Sequence, residues 1–199
     1  MDPPPEKDLT AALRQAVTDD DAARVRDLLA AGAEVNAVDE YGDTVLVWAS
    51  DCDGDVLKAL VEGGANVNHK GVMGVLMNMN ALSLESLETL INAGADVDAT
   101  YVDRWDSRGF TTPLHTAVRT ADGDDDDDEH FVRVLLKAGA ATETRDYAGS
   151  TPLHWAGHYG SAKSMRLLLE GGAQIDAIER KRWSTALLLV QPCDCQWLV

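Results

Sequence analysis

The chain has 199 residues, of which 34 are acidic and 17 are basic, so its formal net charge is −17. This charge repels phosphate and anionic lipid, which disfavours direct binding to nucleic acid or to a membrane surface and favours a basic partner. No apolar run approaches the roughly 20 residues of a bilayer-spanning helix, and the opening MDPPPE lacks the basic-then-apolar pattern of a secretory leader. We therefore predict a cytoplasmic protein whose three cysteines, Cys52, Cys193 and Cys195, are reduced.

One short pattern occurs five times along the chain. Its copies are LLAAGAEVNA (28–37), LVEGGANVNH (60–69), LINAGADVDA (90–99), LLKAGAATET (135–144) and LLEGGAQIDA (168–177). The first glycine of each Gly-Ala pair lies at Gly32, Gly64, Gly94, Gly139 and Gly172, at intervals of 32, 30, 45 and 33 residues. A near-constant period of this length is typical of a repeat protein. The interval of 45 is one ordinary period with an insertion.

Each copy predicts a short amphipathic helix. The segments before the glycines, such as AARVRDLLAAG and SAKSMRLLLEGG, carry apolar residues at helical spacing. The glycine supplies the left-handed backbone conformation that commonly ends a helix. A single pair of such helices is too small to enclose a core, so we expect the units to stack and to bury their apolar faces against one another.

A second signature, Thr-Pro-Leu-His, precedes two of the copies. It occurs in GSTPLHWAGHYG (149–160) and TTPLHTAV (111–118), is altered in GDTVLVWAS (42–50) and is absent from 74–98. Together the two signatures resemble the ankyrin repeat. The resemblance implies an all-α ankyrin-repeat solenoid of paired antiparallel helices with extended hairpin-like tips, in about five repeats plus a C-terminal half-repeat cap.

The phase of the pattern predicts the domain boundaries. We expect an N-terminal tail over 1–8, a single repeat domain over 9–190 and a C-terminal tail over 191–199. The repeats are expected at about 9–41, 42–73, 74–108, 109–148 and 149–182, followed by a partial repeat over 183–190. An acidic insert, 122–130, interrupts the fourth repeat.

The first helix of each repeat contains the candidate binding residues. In the family that this chain resembles, Thr-Pro-Leu-His opens the first helix and its Thr and His bind backbone, which implies structural roles for His115 and His154. The next position varies with the partner and faces a concave groove, and here it holds Trp48 and Trp155. Because exposed aromatic residues are frequent in binding hot spots, we expect both to contact a partner. The alternative is that both indoles pack against adjacent helices.

Other residues share this predicted groove. The position of Trp155 recurs as Gln15, Asn78, Thr116 and Leu189, and the position of His158 recurs as Thr18, Asp51, Ala81 and Arg119. The complete set of predicted groove residues is Trp48, Asp51, Asn78, Arg119, Trp155, His158 and Tyr159.

The tips between repeats are a second predicted binding surface. The longest tip, ATYVDRWDSRGF (99–110), contains Tyr101, Arg104 and Trp105, and a shorter tip contains Tyr147. Aromatic and guanidinium groups are enriched at protein interfaces, so we expect these residues to bind a partner. The alternative for the long tip is sequence drift in a loop that tolerates insertion.

The acidic insert DGDDDDDEH (122–130) has two interpretations. Its central acids are Asp124, Asp125, Asp126, Asp127 and Asp128. One interpretation is a solvated, self-repelling loop. The other is an electrostatic site that accelerates encounter with a basic protein.

Metal binding and catalysis are not predicted. In DCDGDVLKALVE (51–62) the acids have the spacing of a calcium loop, but Val56 occupies the position that requires glycine, and the leucines are needed for a repeat helix. CDCQW (193–197) has two thiols, whereas a structural zinc site takes four ligands. No phosphate-binding glycine loop or nucleophile elbow occurs. We expect no cofactor and no metal.

The sequence therefore predicts a non-enzymatic protein–protein interaction module. We expect it to bind a partner protein with a basic face through its concave groove and its tips, as an inhibitor, immunity protein or antagonist. The alternative is a scaffold or adaptor that bridges proteins without inhibiting them. By itself the chain is expected to be a monomer that binds neither nucleic acid nor membrane directly.

Overall fold

The structure, a computed structural model, describes residues 6–49, 52, 54–69, 76, 82–102, 110–120 and 128–178. The chain divides into two units, Met1–Asp96 and Val97–Val199. Within the described ranges, no helix is both long and apolar enough to cross a membrane.

The first unit contains helix pairs that stack on one another. Its helices are α1 (Glu6–Thr18), α2 (Ala22–Ala30), α3 (Val45–Trp48), α4 (Gly54–Glu62) and α5 (Leu84–Asn92). Helix α1 packs against α2 and α3, and α4 packs against both α2 and α5. The side chains of Leu13, Leu46, Leu57, Leu60 and Leu90 are fully buried between these helices. The leucine pattern therefore predicts the stacking correctly, since each helix covers the apolar face of its neighbour.

The second unit repeats this arrangement after a short hairpin. Strands β1 (Tyr101–Val102) and β2 (Phe110–Thr111) pair antiparallel, with Tyr101 opposite Thr111. The helices that follow are α6 (Pro113–Thr120), α7 (Asp128–Lys137), α8 (Pro152–Tyr159) and α9 (Ala162–Glu170). Helix α6 packs against α7 and α8, and α9 packs against α7 and α8. Leu114, Leu135, Leu153 and Leu168 are fully buried at these contacts.

The second helix of each described repeat ends as the sequence predicts. Gly32, Gly64, Gly94, Gly139 and Gly172 all have positive φ angles, between 86° and 96°. Residues with a side chain rarely adopt this conformation, so the glycines are needed to turn the chain out of the helix. The helix starts are also specified locally, because the hydroxyls of Ser83 and Ser161 accept hydrogen bonds from the backbone N–H groups of Ser86 and Ser164.

A row of hydrogen bonds joins successive tips within each unit. In the first unit, the backbone N–H of Asn66 donates to Asn36 Oδ1 at 2.7 Å, and that of Asp96 donates to Asn68 Oδ1 at 2.8 Å. In the second unit, Ala141 N donates to Asp98 Oδ1 and Gln174 N donates to Glu143 Oε1, both at 2.8 Å. The acceptors occupy one position of the repeat. These bonds therefore align neighbouring repeats in addition to the leucine contacts.

Two predicted boundaries differ from the helices observed. Helix α1 begins at Glu6, inside the predicted tail 1–8, and α7 begins at Asp128, inside the predicted insert 122–130. In α7, Glu129 lies in the first turn, where a carboxylate interacts favourably with the helix dipole. The partial repeat 183–190 and the tail 191–199 lie outside the described residues.

Candidate partner-binding surface

The Thr-Pro-Leu-His elements are structural, as the resemblance implies. The Oγ1 of Thr112 lies 2.9 Å from His115 Nδ1, and the Oγ1 of Thr151 lies 2.8 Å from His154 Nδ1. His115 Nδ1 also accepts from Thr112 N–H, so its proton lies on Nε2, which donates to the carbonyl of Ser150. Both histidines are buried, and burial lowers the pKa of His115 to about 4.

The altered element of the second repeat lacks this pairing. Val47 stands where the other two repeats have histidine, and the buried hydroxyl of Thr44 has no hydrogen-bond partner among the described residues. Helix α3 extends for four residues, whereas α6 and α8 each extend for eight. The first helix of this repeat is therefore shorter than its counterparts, and the threonine at its start lacks the histidine partner that the other two threonines have.

Trp155, which is predicted to contact a partner, is buried within its own unit. Its side chain is 6% exposed, and its Nε1–H donates to Asp146 Oδ2 at 2.9 Å. The indole also lies edge-on against the ring of His115, with centroids 5.3 Å apart. Because the indole satisfies a carboxylate and fills space beside a neighbouring helix, this position has a structural role in its repeat.

Trp48, at the equivalent position of the second repeat, is exposed. Its side chain is 53% accessible, and among the described residues its indole nitrogen has no hydrogen-bond acceptor. The residues at this position of the other repeats differ in their exposure to solvent between the two units. Gln15 in the first unit is exposed and Thr116 in the second is buried. Asn78 and Leu189 lie outside the described residues.

The remaining predicted groove residues lie on the first helices of the second unit. His158 is exposed and Tyr159 and Arg119 are half-buried. The rings of His158 and Tyr159 meet edge-on, with centroids 5.2 Å apart. Asp51 lies outside the described residues.

The tips before α3 (37–44) and α8 (144–151) have the same hydrogen-bond pattern. Asp39 Oδ1 accepts from the backbone N–H groups of Tyr41 and Asp43, and Asp146 Oδ1 accepts from those of Ala148 and Ser150. In each tip the aspartate also pairs through its backbone with the residue four positions later. An aspartate at this position therefore determines the turn.

Both tips present aromatic side chains to solvent. Tyr147 was predicted to bind a partner and is 64% exposed. Tyr41 lies in a predicted tip and is 78% exposed, and Val38 and Phe110, which are not among the predicted binding residues, are more than half exposed. Tyr41 is recognisable in the sequence as an aromatic residue within a turn motif. Of the predicted long tip, Tyr101 is part of β1, whereas its side chain and all of Arg104 and Trp105 lie outside the described residues.

The described acidic residues do not form a metal site. No group of three or more His, Cys, Asp or Glu side chains within the described ranges has an arrangement that could hold a metal ion. The segment with calcium-loop spacing forms helix α4 from Gly54 onwards. Asp124, Asp125, Asp126 and Asp127 lie outside the described residues, as does the side chain of Asp128.

Comparison with protein families identifies the repeat. Residues 72–179, more than half of the chain, match the family model "Ankyrin repeats (3 copies)", and residues 41–72 match the model "Ankyrin repeat". The chain belongs to the ankyrin repeat family. The all-α ankyrin solenoid predicted from the sequence is therefore confirmed as the fold class. Ankyrin repeats mediate protein–protein interaction.

Similar proteins include one named as a subunit of nuclear factor NF-kappa-B and one named as an NF-kappa-B inhibitor. The chain is 33% identical over 168 residues to the nuclear factor NF-kappa-B p105 subunit of Gallus gallus, covering 81% of this chain and 16% of that protein. It is 33% identical over 111 residues to NF-kappa-B inhibitor alpha of the same species, covering 56% of this chain and 30% of that protein. The chain thus spans well under half the length of these relatives.

A solved ankyrin repeat structure has the same fold. The ankyrin repeat domain of Bcl-3, described as a unique member of the IkappaB protein family, is 26% identical and superposes with a TM-score of 0.74. The match covers 92% of this chain and 78% of the Bcl-3 domain. An alignment of this extent includes most of the repeats in both units.

Proposed function

We propose that this ankyrin repeat protein is a non-enzymatic inhibitor that binds the basic face of a partner protein. The observation that carries the proposal is the exposure of Tyr41 and Trp48 on a chain whose net charge is −17. Large aromatic side chains in solvent are typical of binding hot spots, and the surrounding negative charge favours a cationic partner. Its relatives include a protein named as an inhibitor, which supports the same class of function.

Inhibition requires that the bound face of the partner includes its functional site. An acidic repeat surface is suited to this role, because proteins that handle nucleic acid present basic surfaces to phosphate. The repeat surface then occupies the same positive groups that the partner uses for its ligand. We place this interaction in the cytoplasm.

A scaffold is the second candidate function. It is favoured by the presence of exposed aromatic residues in both units, namely Tyr41 and Trp48 in the first and Phe110 and Tyr147 in the second. With an exposed aromatic surface in each unit, the chain can bind two proteins. In that case the chain joins its partners without covering their functional sites.

One experiment separates the two functions. The purified chain is used to capture its partner from the cells that produce it, and the partner's own activity is then measured while the chain is titrated in. Inhibition predicts that activity falls in proportion to the complex formed and recovers at high salt, which screens the charges. Unchanged activity in a fully formed complex contradicts inhibition, and a ternary complex with a second protein then supports the scaffold.

A further inference from the structure

The same aspartate–tryptophan pair occurs at the start of the second and of the fifth repeat, with the aspartate in the tip that precedes the repeat and the tryptophan on its first helix. Asp146 and Trp155 are nine residues apart, as are Asp39 and Trp48. In both tips, Oδ1 of the aspartate accepts two backbone N–H groups of the turn. The backbone that positions the carboxylate is therefore equivalent in the two repeats.

The pair is closed in the fifth repeat and open in the second. Asp146 Oδ2 accepts the indole N–H of Trp155. Among the described residues, Asp39 Oδ2 accepts no hydrogen bond, and the indole of Trp48 donates none. The second repeat therefore presents an acceptor oxygen and an exposed indole where the fifth repeat has an internal contact.

The repeats that precede the two pairs differ at one equivalent position. Trp155 packs against His115, which is buried. The position equivalent to His115 in the first repeat is occupied by Arg14. Backbone N–H groups, that of Asp43 foremost, hold the pKa of Asp39 below its ordinary value, and the charge of Arg14 adds to this effect. Arg14 therefore places a positive charge near Asp39, whereas His115 provides a buried ring against which Trp155 packs.

We propose that Asp39 and Trp48 form a receptor site for an arginine side chain in a basic segment of the partner. A guanidinium group donates to a carboxylate oxygen and stacks on an aromatic face at the same time, which the smaller ammonium of lysine does less well. Its donors fit the open Oδ2 of Asp39, and its plane fits the exposed face of Trp48. This inference rests on the proposed binding of a basic partner.

The surroundings of the site favour such a segment. Glu40 and Asp43 add negative charge in the same turn, and Tyr41 and Val38 are exposed beside Asp39 in the sequence. The carboxylates attract a cationic chain, and the apolar side chains are available to residues that flank the arginine. The expected ligand is therefore an extended segment in which arginine alternates with apolar residues.

The test uses the full chain labelled with nitrogen-15 and two short synthetic peptides. One alternates arginine with leucine, and the other alternates lysine with leucine. We expect the arginine peptide to shift the indole N–H resonance of Trp48, which is assigned as the signal that disappears in Trp48→Phe. The lysine peptide is expected to bind about threefold or more weakly.

Matched substitutions locate the site. Asp39→Asn keeps an Oδ1 acceptor for the turn but removes the charge, and it should weaken arginine-peptide binding about tenfold. Glu40→Gln removes the same charge from the adjacent residue and should change it less than about twofold. Trp48→Ala should also weaken binding about tenfold, whereas Ile175→Ala, at an exposed apolar residue of the other unit, should leave it unchanged.

The outcomes separate this inference from the proposed function. Equal losses in Asp39→Asn and Glu40→Gln, parental binding by Trp48→Ala, or no shift of the Trp48 resonance each overturn the arginine site. If Asp39→Asn and Trp48→Ala still inhibit the captured partner as the parent does, the proposed function stands and the site is wrong. Peptide binding at Trp48 without inhibition of any basic partner supports the arginine site and contradicts the proposed function.

Discussion

Thr44, Thr112 and Thr151 occupy the same position in three repeats, but their hydroxyls have different surroundings. Those of Thr112 and Thr151 pair with a histidine ring. That of Thr44 is buried without a partner within the described part of the chain. A buried unpaired hydroxyl costs about 1–3 kcal/mol, so one residue type has opposite effects on stability at equivalent positions.

Replacing these threonines with valine should therefore have opposite results. Thr44→Val removes the unpaired hydroxyl and should raise the free energy of unfolding by about 1 kcal/mol. Thr151→Val removes the partner of His154 and should lower it by about 1–2 kcal/mol. Urea unfolding followed by circular dichroism measures both changes. Destabilisation by Thr44→Val would show that its hydroxyl has a partner after all.

His115 links stability to pH. Burial lowers its pKa to about 4 in the folded protein, from an ordinary value of 6.5. Between these two values the unfolded chain binds more protons than the folded chain, so stability must fall as the pH falls through this window. The full contribution, at most about 3 kcal/mol, is present above the upper value and lost below the lower one.

The titration can be observed directly. In an NMR titration the ring Cε1 proton of His115 should shift near pH 4, and the free energy of unfolding should decline between pH 6.5 and 4. The variant His158→Gln removes an exposed ring and serves as the control, which should keep this decline. A His115 ring that titrates at its ordinary pKa would contradict the structural role of its burial.

At the scale of elements, a helix and the tip before it are connected through one indole. Trp155 on α8 donates to Asp146 Oδ2. The Oδ1 of the same carboxylate accepts a backbone N–H of the tip. Trp48 on α3 makes no such bond to the described residues. The same pair of elements is therefore held together more firmly in the fifth repeat than in the second.

Trp155→Phe should lower the free energy of unfolding by about 1.5–3 kcal/mol, because it deletes a hydrogen bond to a charged group and leaves Asp146 Oδ2 without its donor. Trp48→Phe should change it by less than about 0.5 kcal/mol, since an exposed indole supports no internal contact. Urea unfolding of the two variants gives the comparison. Equal effects would indicate that the hydrogen bond of Trp155 contributes little.

Most elements could be predicted from local sequence. Helices α2, α4, α5, α7 and α9 precede glycines that end them, and apolar spacing identifies the face that each one buries. The length of α3 could not be predicted in this way. Its residues, Val45–Trp48, are as apolar as those of its counterparts, whereas it lacks the histidine that pairs with the threonine.

At the scale of the whole molecule, net charge governs encounter with a partner. Replacing Asp124, Asp125, Asp126, Asp127 and Asp128 with serine removes five negative charges from the insert. We expect the association rate with a basic partner to fall severalfold at low salt, with little change at high salt, because exposed charges are screened beyond about 10 Å at 0.1 M. Stopped-flow measurements at two salt concentrations test this. An unchanged rate would leave the insert as a solvated loop.

The sequence by itself determined the repeat, its period, the stacking of helix pairs and the glycine ends, because each of these depends on residues close together in the chain. It also identified Trp48 and Trp155 as equivalent positions. Only the tertiary structure decided that Trp155 is buried and donates a hydrogen bond to Asp146, whereas Trp48 is exposed to solvent. The reason is that Trp155 packs against His115, a residue of the preceding repeat, and the packing of one repeat on the next depends on residues that are far apart in the chain.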